Sequence, residues 1–215
     1  MATIYLFSGL GADARVFQKL DFAGYETAFI EWIAPLNGES LKDYAVRISS
    51  QIERNKPILV GVSFGGMLAV EISKVIDCQK VILISSATTR SEIPLMYRFF
   101  GRMGLHRLIP VGFLKHANML TYWLFGMQTK AEKELLKGIL NDTDPVFLKW
   151  AMNAIIQWKN EVAIHGLVHL HGDADRILPV RNIQKTDFIV ASGGHLMVYS
   201  KAGIINKILK KILKK

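Results

Sequence analysis

Residues 57–76 read PILVGVSFGGMLAVEISKVI, and this stretch decides the fold. After the proline, residues 58–62 are wholly apolar, which is typical of a strand buried on both faces of a sheet. Residues 65–76 favour a helix, and a second apolar run, 80–85, favours another buried strand. A strand, a tight turn and a helix are therefore predicted around Ser63.

Strand and helix patterns alternate on both sides of this unit, which is typical of a mostly parallel sheet covered by helices. Residues 88 to about 160 interrupt the alternation with Met, Phe, Trp and Leu at helical spacing. The sequence thus predicts a single α/β domain over residues 1–215, with a sheet of about six strands flanked by helices and a helical cap inserted at about 88–160. The other predicted strands are 3–8, 27–33, 163–170 and 187–191, and the other predicted helices are 12–20, 40–54, 179–184 and one from about 201.

The composition is that of a globular chain, since half of the 215 residues are hydrophobic and 21% are charged. Cys78 is the only cysteine, so an internal disulfide is excluded and the fold suits a reducing compartment. The apolar start of the chain lacks the basic n-region of a signal peptide, and no apolar run reaches the ~18 residues of a membrane span. A cytoplasmic location is predicted.

The positive charge is concentrated at the C-terminus. The formal net charge is +9, and six lysines lie in the last fifteen residues, where no acidic side chain occurs. This distribution does not predict a nucleic-acid groove elsewhere in the chain. The segment predicts a final helix that covers the sheet, and contact of this basic helix with anionic membranes is the alternative. Its apolar stripe consists of Ile204, Ile205, Ile208, Leu209, Ile212 and Leu213.

The strongest local motif is G-x-S-x-G, formed by residues 61–65 between the predicted strand and helix. A nucleophile at the tip of such a sharp turn has a strained backbone, and small residues two positions to either side let the strand and the helix approach closely. Ser63 would then lie at the carboxyl edge of the sheet, beside the positive end of a helix.

A serine hydroxyl is a weak nucleophile at neutral pH, so it needs a base within reach and a group that orients the base. The sequence offers both after predicted strands, where catalytic loops of parallel sheets gather. Asp173 and Asp175 follow one strand, and His195 follows the next. The chain order of serine, acid and histidine is that of nucleophile-elbow enzymes.

Together these segments resemble the α/β-hydrolase superfamily over nearly the whole chain. The resembling pieces are Ser8-Gly9-Leu10-Gly11, Gly61 to Gly66, His171-Gly172-x-x-Asp175 with Pro179, and Gly194-His195. The resemblance implies that Ser63 attacks a carbonyl, His195 shuttles the proton and Asp175 steadies the imidazolium. It also implies that the backbone N–H groups of Leu10 and Phe64 hold the oxyanion, and that the reaction needs no metal or organic cofactor.

The sequence departs from the family in three respects, one of which is the short spacing of 20 from Asp175 to His195. Ser8-Gly9 stands where many relatives have His-Gly, and the chain begins directly with that strand, which agrees with a minimal sheet of about six strands. Asp173 competes with Asp175 as the acid, but the family spacing of Gly, two residues and Asp selects Asp175. Asp173 is interpreted as a loop residue that accepts hydrogen bonds from nearby amides.

Other polar and aromatic residues have structural and functional interpretations. His165, His169 and His171 could suggest a metal site, but no spacing supplies a third and fourth ligand, so a structural role is favoured. His106 and His116 are expected to be surface or packing residues of the cap. Most apolar cap residues are expected to pack, with a few lining an acyl pocket; the candidates are Met96, Phe99, Phe100, Met103, Trp123, Phe125, Met127, Trp150, Met152 and Trp158.

The function predicted from these residues is hydrolysis of a small, largely apolar carboxylic ester through an acyl-enzyme. An acyltransferase or thioesterase with the same three residues is the first alternative. A ligand-binding protein that keeps the fold without turnover is the second, although such a protein has no need of all three residues.

Overall fold

The computed structural model describes residues 2–22, 24–53, 56–105, 110, 112, 115–164 and 166–213 of the chain. These residues form six strands: β1 (Ile4–Phe7), β2 (Thr27–Phe29), β3 (Ile58–Val62), β4 (Lys80–Ile84), β5 (Leu167–Gly172) and β6 (Phe188–Val190). The strands make one parallel sheet in the order β2-β1-β3-β4-β5-β6. The predicted fold class is therefore confirmed, because every pair of neighbouring strands is parallel.

The described residues also form eight α-helices. They are α1 (Leu41–Ile48), α2 (Phe64–Ile72), α3 (Leu95–Arg102), α4 (Met119–Phe125), α5 (Lys130–Asp142), α6 (Pro145–Gln157), α7 (Met197–Ser200) and α8 (Ala202–Leu213). Helices α3 to α6 all lie between β4 and β5 in the chain, where the sequence predicts the helical cap.

Alternate side chains of the strands enter two separate layers of the core. On β1, Tyr5 and Phe7 join a cluster with residues of α1, α2 and α6, whereas Ile4 and Leu6 join a cluster with residues of α5, α7 and α8. All five residues of β3 are buried. Both faces of the sheet are thus covered, as the wholly apolar run before Ser63 predicts.

Side-chain caps define the starts of α5 and α6, and the Thr143 hydroxyl fixes the corner between the two helices. Thr129 and Glu132 form a capping box at the start of α5, and Asp144 accepts a backbone hydrogen bond at the start of α6. Between the two helices, the Thr143 hydroxyl donates to the carbonyl oxygen of Gly11 at 2.8 Å. The corner therefore ties the helical segment to the loop after β1.

The helix predicted at residues 12–20 is wrong, because only a short 3-10 turn, Ala14–Phe17, forms there. An α-helix would use the carbonyl of Ala12 for its first turn. Instead that oxygen accepts from the Ser8 hydroxyl at 2.6 Å and from the Trp32 indole N–H at 2.9 Å. Side chains thus take the acceptor that helix formation needs.

The predicted strand 27–33 forms only over Thr27–Phe29. The Ile33 N–H donates to the Tyr44 hydroxyl at 3.1 Å, and that hydroxyl donates to the Ile33 carbonyl at 3.0 Å. The strand expected at 163–170 is shifted to Leu167–Gly172, and the expected helix 179–184 is a 3-10 turn, Val180–Asn182.

The C-terminal helix covers the sheet. Ile205, Leu209 and Leu213 of α8 are buried in the core. The last helical carbonyls are also tied down, since Lys80 Nζ donates to Ile212 and the Tyr25 hydroxyl donates to Leu213. In the part of the chain that the structure describes, every helix is too short or too polar to cross a bilayer.

Candidate active site

Ser63 lies at the turn between β3 and α2. Its backbone has φ 52° and ψ −120°, a conformation with positive φ that is strained for a residue with a Cβ. Its N–H donates to the Ile84 carbonyl at 3.0 Å, and its carbonyl accepts from the Ser86 hydroxyl at 2.6 Å. The neighbouring strand β4 and the residues after it therefore hold the strained turn.

Two glycines of the motif allow this turn to form. A Cβ at position 61 would lie 2.5 Å from Gly65 O and from Gly66 Cα, and a Cβ at position 65 would overlap the carbonyls of Phe7 and Ser8. These neighbours are backbone atoms, which cannot rotate away as a side chain can. The spacing G-x-S-x-G thus follows from the close approach of α2 to β1 and β3.

The structure brings Ser63, His195 and Asp175 together at the carboxyl edge of the sheet. The Ser63 Oγ lies 2.8 Å from His195 Nε2, and His195 Nδ1 lies 2.8 Å from Asp175 Oδ2. Since a carboxylate only accepts, Nδ1 carries the ring proton, and the neutral Nε2 accepts from the serine hydroxyl. Asp175 and His195 are buried, whereas Ser63 is half-buried.

The environment of Asp175 favours its ionised form. Burial alone would raise the pKa of this carboxyl, but the charge and hydrogen bond of His195 and the N–H of Leu178 outweigh burial and lower the pKa below its ordinary value. Oδ1 accepts from the N–H groups of Ile177 and Leu178, each at 2.9 Å, and Oδ2 is left for His195. The carboxylate is thus fixed in position and remains an acceptor at neutral pH.

A pair of buried histidines lies behind the carboxylate. His171 Nε2 lies 2.7 Å from the Leu178 carbonyl, so this nitrogen carries the proton, and His171 Nδ1 accepts from His169 Nε2 at 3.2 Å. His171 Nε2 is also 3.5 Å from Asp175 Oδ2. Burial lowers the pKa of both rings, and for His169, with His171 beside it, to about 4. Both rings are therefore neutral at pH 7, and His171 braces the turn that carries Asp175.

The remaining polar candidates lie outside this chain of hydrogen bonds. Asp173 is exposed, and its Oδ1 accepts from the Ser192 N–H at 2.6 Å, which is the loop role that its spacing predicts. Among the described residues, no group of three or more His, Cys, Asp or Glu side chains could hold a metal ion. His106 and His165 lie outside the described residues.

The two predicted oxyanion donors lie beside Ser63. Leu10 belongs to a turn closed by a hydrogen bond from the Ala12 N–H to the Gly9 carbonyl at 3.0 Å, and a Cβ built on Gly9 would lie in van der Waals contact with the Ser63 Cβ, at 3.6 Å. Phe64 is the first residue of α2, so its N–H points out of the helix start. Within the described residues, neither N–H takes part in a hydrogen bond.

Sequence reasoning missed the residues that hold the Leu10 turn. Ser8 and Trp32 both donate to the Ala12 carbonyl, and Thr143 donates to Gly11. Trp32 is 20 positions from Ala12, and Thr143 is 132 positions from Gly11. No local pattern relates residues so far apart, although Ser8 itself belongs to the segment Ser8-Gly9-Leu10-Gly11.

A cleft of about 490 Å³ opens beside the same turn. Trp32 and Phe147 line it, and their rings also contact the Phe64 ring, with centroids 5.6 and 6.1 Å apart. An apolar wall therefore adjoins Phe64, the residue that follows Ser63. Asp13, Asp142 and Asp144 also line the cleft, and the first two pair with Arg15 at 2.6 Å each.

The apolar cap residues have several environments. Phe125 packs its ring edge-to-face on His195 at 5.7 Å, and Met127 is buried in the core. Trp150 and Trp158 donate their indole N–H groups to the Glu39 carbonyl and the Glu71 carboxylate, which is a packing role. Five others are exposed to solvent: Met96, Phe99, Phe100, Met103 and Trp123.

Comparison with solved structures identifies the fold. The chain is similar to a thermophilic esterase from Thermogutta terrifontis, with 14% identity, a TM-score of 0.75, and coverage of 99% of this chain and 89% of that one. It is also similar to an esterase from Exiguobacterium antarcticum, with 14% identity, a TM-score of 0.71, and coverage of 100% and 92%. A bromoperoxidase from Bacillus anthracis is similar as well, with 15% identity, a TM-score of 0.69, and coverage of 100% of this chain and 92% of that one.

No protein-family model matches the sequence, and no curated protein matches it. The likeness is therefore one of structure, over nearly the whole length of each chain. The chain has the α/β-hydrolase fold. The order of the strands and the strained turn at Ser63 agree with this assignment.

Proposed function

We propose that this protein is a serine hydrolase that cleaves a small, largely apolar carboxylic ester through an acyl-enzyme. The observation that carries the proposal is the unbroken chain of hydrogen bonds from Asp175 through His195 to Ser63, with 2.8 Å at each link that involves the imidazole. A protein that only binds a ligand gains nothing from a strained serine turn aligned with a base and a buried carboxylate.

In the first half of the reaction, Ser63 Oγ forms a bond to the ester carbonyl carbon as its proton passes to His195 Nε2. The carbonyl electron pair moves to oxygen, and the N–H groups of Leu10 and Phe64 donate to the resulting oxyanion. Each such donor typically contributes about 10²- to 10³-fold to kcat. Asp175 stabilises the imidazolium and keeps its Nδ1 proton in place.

The tetrahedral intermediate then collapses. The bond to the alcohol oxygen breaks, and that oxygen takes the proton from His195 Nε2, which leaves the acyl group on Ser63. Water repeats the sequence: it loses a proton to Nε2 and attacks the acyl carbon, and the proton returns to Ser63 Oγ as the acid leaves. All protons and electron pairs are balanced by these groups, so the chemistry needs no cofactor.

The surroundings of Ser63 support an apolar substrate. The rings of Trp32 and Phe147 form an apolar wall of the cleft beside the Leu10 turn. Three carboxylates also line this cleft and, among the described residues, only Arg15 pairs with two of them, so the net negative charge would repel an anionic group. We expect hydrolysis of uncharged esters to depend on acyl chain length and to fall when a negative charge is added. Activity that rises with negative charge and is indifferent to chain length would contradict this substrate class.

Labelling with a fluorophosphonate probe, followed by mapping of the adduct, tests the nucleophile. Wild-type protein should be labelled at Ser63, and His195→Ala should lose the label while retaining a folded circular dichroism spectrum. His116→Ala is a matched control, because His116 is exposed on the segment before α4. Absence of labelling in folded wild-type protein would contradict the hydrolase proposal and favour a ligand-binding role.

The same three residues would serve an acyltransferase or a thioesterase. A competing alcohol or thiol added to a turnover assay would divert the acyl-enzyme if transfer is the natural reaction. The proposed hydrolysis predicts free acid as the main product at all accessible acceptor concentrations.

A further inference from the structure

Helix α3 turns its apolar side away from the protein. Gly101 faces α6, since a Cβ on it would overlap the side chain of Ile156. At about 100° per residue, the side opposite Gly101 carries Leu95, Phe99 and Met103. Leu95 is 72% exposed, and Phe99 and Met103 are each 59% exposed. An amphipathic helix of a globular protein normally buries this stripe.

Helix α4 repeats the arrangement. Tyr122 and Phe125 are partly buried against the core, whereas Leu120 and Trp123 lie on the other side of the helix and are exposed. Met119 is 77% exposed. We call the exposed apolar side chains of the two helices the cap face; they are Leu95, Met96, Phe99, Phe100, Met103, Met119, Leu120 and Trp123.

The cap face lies close to the proposed catalytic residues. The ring of Phe125, at the end of α4, contacts His195 with centroids 5.7 Å apart. Arg176, next to Asp175, donates to the Trp123 carbonyl at 2.8 Å. A surface that touches the exposed side chains of α4 would therefore lie close to His195 and Asp175.

The segment that carries the cap face has basic residues and no acidic ones. Residues 93–131 contain five Lys or Arg and no Asp or Glu. A cleft of about 560 Å³ adjoins Met103 on α3 and is lined by Arg90, Arg98, Arg102 and Lys159. Arg98 Nε is buried and has no hydrogen-bond partner within the described residues. Clustered arginine and lysine side chains are suited to phosphate oxygens.

We propose that the cap face docks on an anionic phospholipid bilayer. The apolar side chains of α3 and α4 enter the interfacial region, and the cations of the cleft bind lipid phosphates. Flexible Met, Leu and Phe side chains next to arginines match the two chemistries of a bilayer surface, which are acyl chains and anionic headgroups. The absence of carboxylates in residues 93–131 removes the repulsion that such a surface would otherwise meet.

Docking gives the proposed function a source of substrate. An apolar ester dissolved in the bilayer would reach Ser63 without crossing water, so lipid-soluble esters would be the substrate class. This consequence rests on the proposed hydrolase activity, whereas the docking itself does not.

Sedimentation with phosphatidylcholine vesicles, with and without phosphatidylserine, tests the docking. The Ser63→Ala protein is used as the parent, so that turnover cannot alter the lipid. It should bind the vesicles that contain phosphatidylserine and release at high salt. Phe99→Ser with Met119→Ser should lower the partition coefficient at least tenfold, and Arg98→Gln and Arg102→Gln should lower it about fivefold each.

Ile204→Ser with Lys207→Gln on α8 is the matched control, since Ile204 is also exposed and apolar and Lys207 belongs to the basic C-terminal helix. This control should bind like the parent, and a loss confined to it would overturn the proposal in favour of α8. Equal binding by the parent and the α3 and α4 variants, with circular dichroism showing that all are folded, would also overturn it.

Gel filtration distinguishes a second occupant. A wild-type dimer that Phe99→Ser converts to monomer, without any vesicle binding, would show that the cap face pairs with another copy. Failure of the hydrolase proposal is seen separately, in the absence of fluorophosphonate labelling of otherwise wild-type protein, and leaves the vesicle result unaffected.

Discussion

Replacement of Asp175 by Asn tests how the proposed triad is organised. Oδ1 of Asp175 accepts two backbone hydrogen bonds, from Ile177 and Leu178, while Oδ2 faces His195. In Asp175→Asn, the amide oxygen should keep the two backbone donors, because the amide nitrogen cannot accept from them. The NH₂ group must then point at His195 Nδ1.

An NH₂ group at this position reverses the tautomer of His195. Nδ1 would have to accept, so the ring proton would move to Nε2, the nitrogen that must take the proton from Ser63. A wrong tautomer typically lowers kcat about 10⁴-fold in enzymes with a Ser-His-Asp triad, which corresponds to about 5.5 kcal/mol of transition-state stabilisation. The substitution changes neither the size of the side chain nor its two backbone hydrogen bonds, so we expect KM and folding to change little.

The assay is steady-state hydrolysis of a short, water-soluble nitrophenyl ester, together with nitrogen NMR of the imidazole to read the tautomer. Asp173→Asn is the matched control, because Asp173 lies two residues away and its side chain accepts a hydrogen bond from the Ser192 N–H. It should retain kcat within a few-fold. A kcat for Asp175→Asn within tenfold of wild type, with the proton still on Nδ1, would refute the assignment of Asp175 as the orienting acid.

Three further predictions concern residues near the site. Ser8→Ala removes one of the two donors to the Ala12 carbonyl, so we expect it to loosen the Leu10 turn. This should lower kcat about tenfold and leave KM nearly unchanged, and an unchanged kcat would contradict this role. His171→Leu should lower kcat about tenfold, because it releases the turn that carries Asp175. His171→Gln retains a hydrogen-bond donor and should keep most of the wild-type kcat, and equal losses of kcat in the two variants would point to packing alone. Burial, with His171 beside it, lowers the folded pKa of His169 from 6.5 to about 4, so the unfolded chain takes up a proton first as pH falls. In urea unfolding, the stability lost between pH 7 and 4.5 should therefore be smaller by about 2 kcal/mol in His169→Gln than in the wild type.

Local chemistry made the serine turn predictable from sequence. The glycines at 61 and 65 are needed because backbone atoms lie where their side chains would be, and that requirement appears in the sequence as a fixed spacing. The choice of Asp175 over Asp173 rests on the resemblance to the spacing of the α/β-hydrolase family, and of these two residues Asp175 contacts His195 in the structure. These residues lie at strand ends, where the sheet order alone brings them together.

Contacts between distant segments could not be predicted in this way. The carbonyl of Ala12 is taken by Ser8 and Trp32 instead of a helix, which is why the expected helix at 12–20 is missing. The orientation of α3 was also hidden, since composition alone shows an amphipathic segment and does not say which side faces the protein. Gly101 decides that, because only a residue without a side chain fits against Ile156.

The two outermost strands of the sheet have a consequence for how the protein behaves in concentrated solution. At three residues each, β2 and β6 present few free backbone donors and acceptors to a neighbouring molecule. On the β2 side, the Tyr44 hydroxyl also pairs with both backbone groups of Ile33, where the strand would otherwise continue. Such short, interrupted edge strands resist pairing between the sheets of neighbouring molecules. We therefore expect these strands not to form fibrils at high protein concentration.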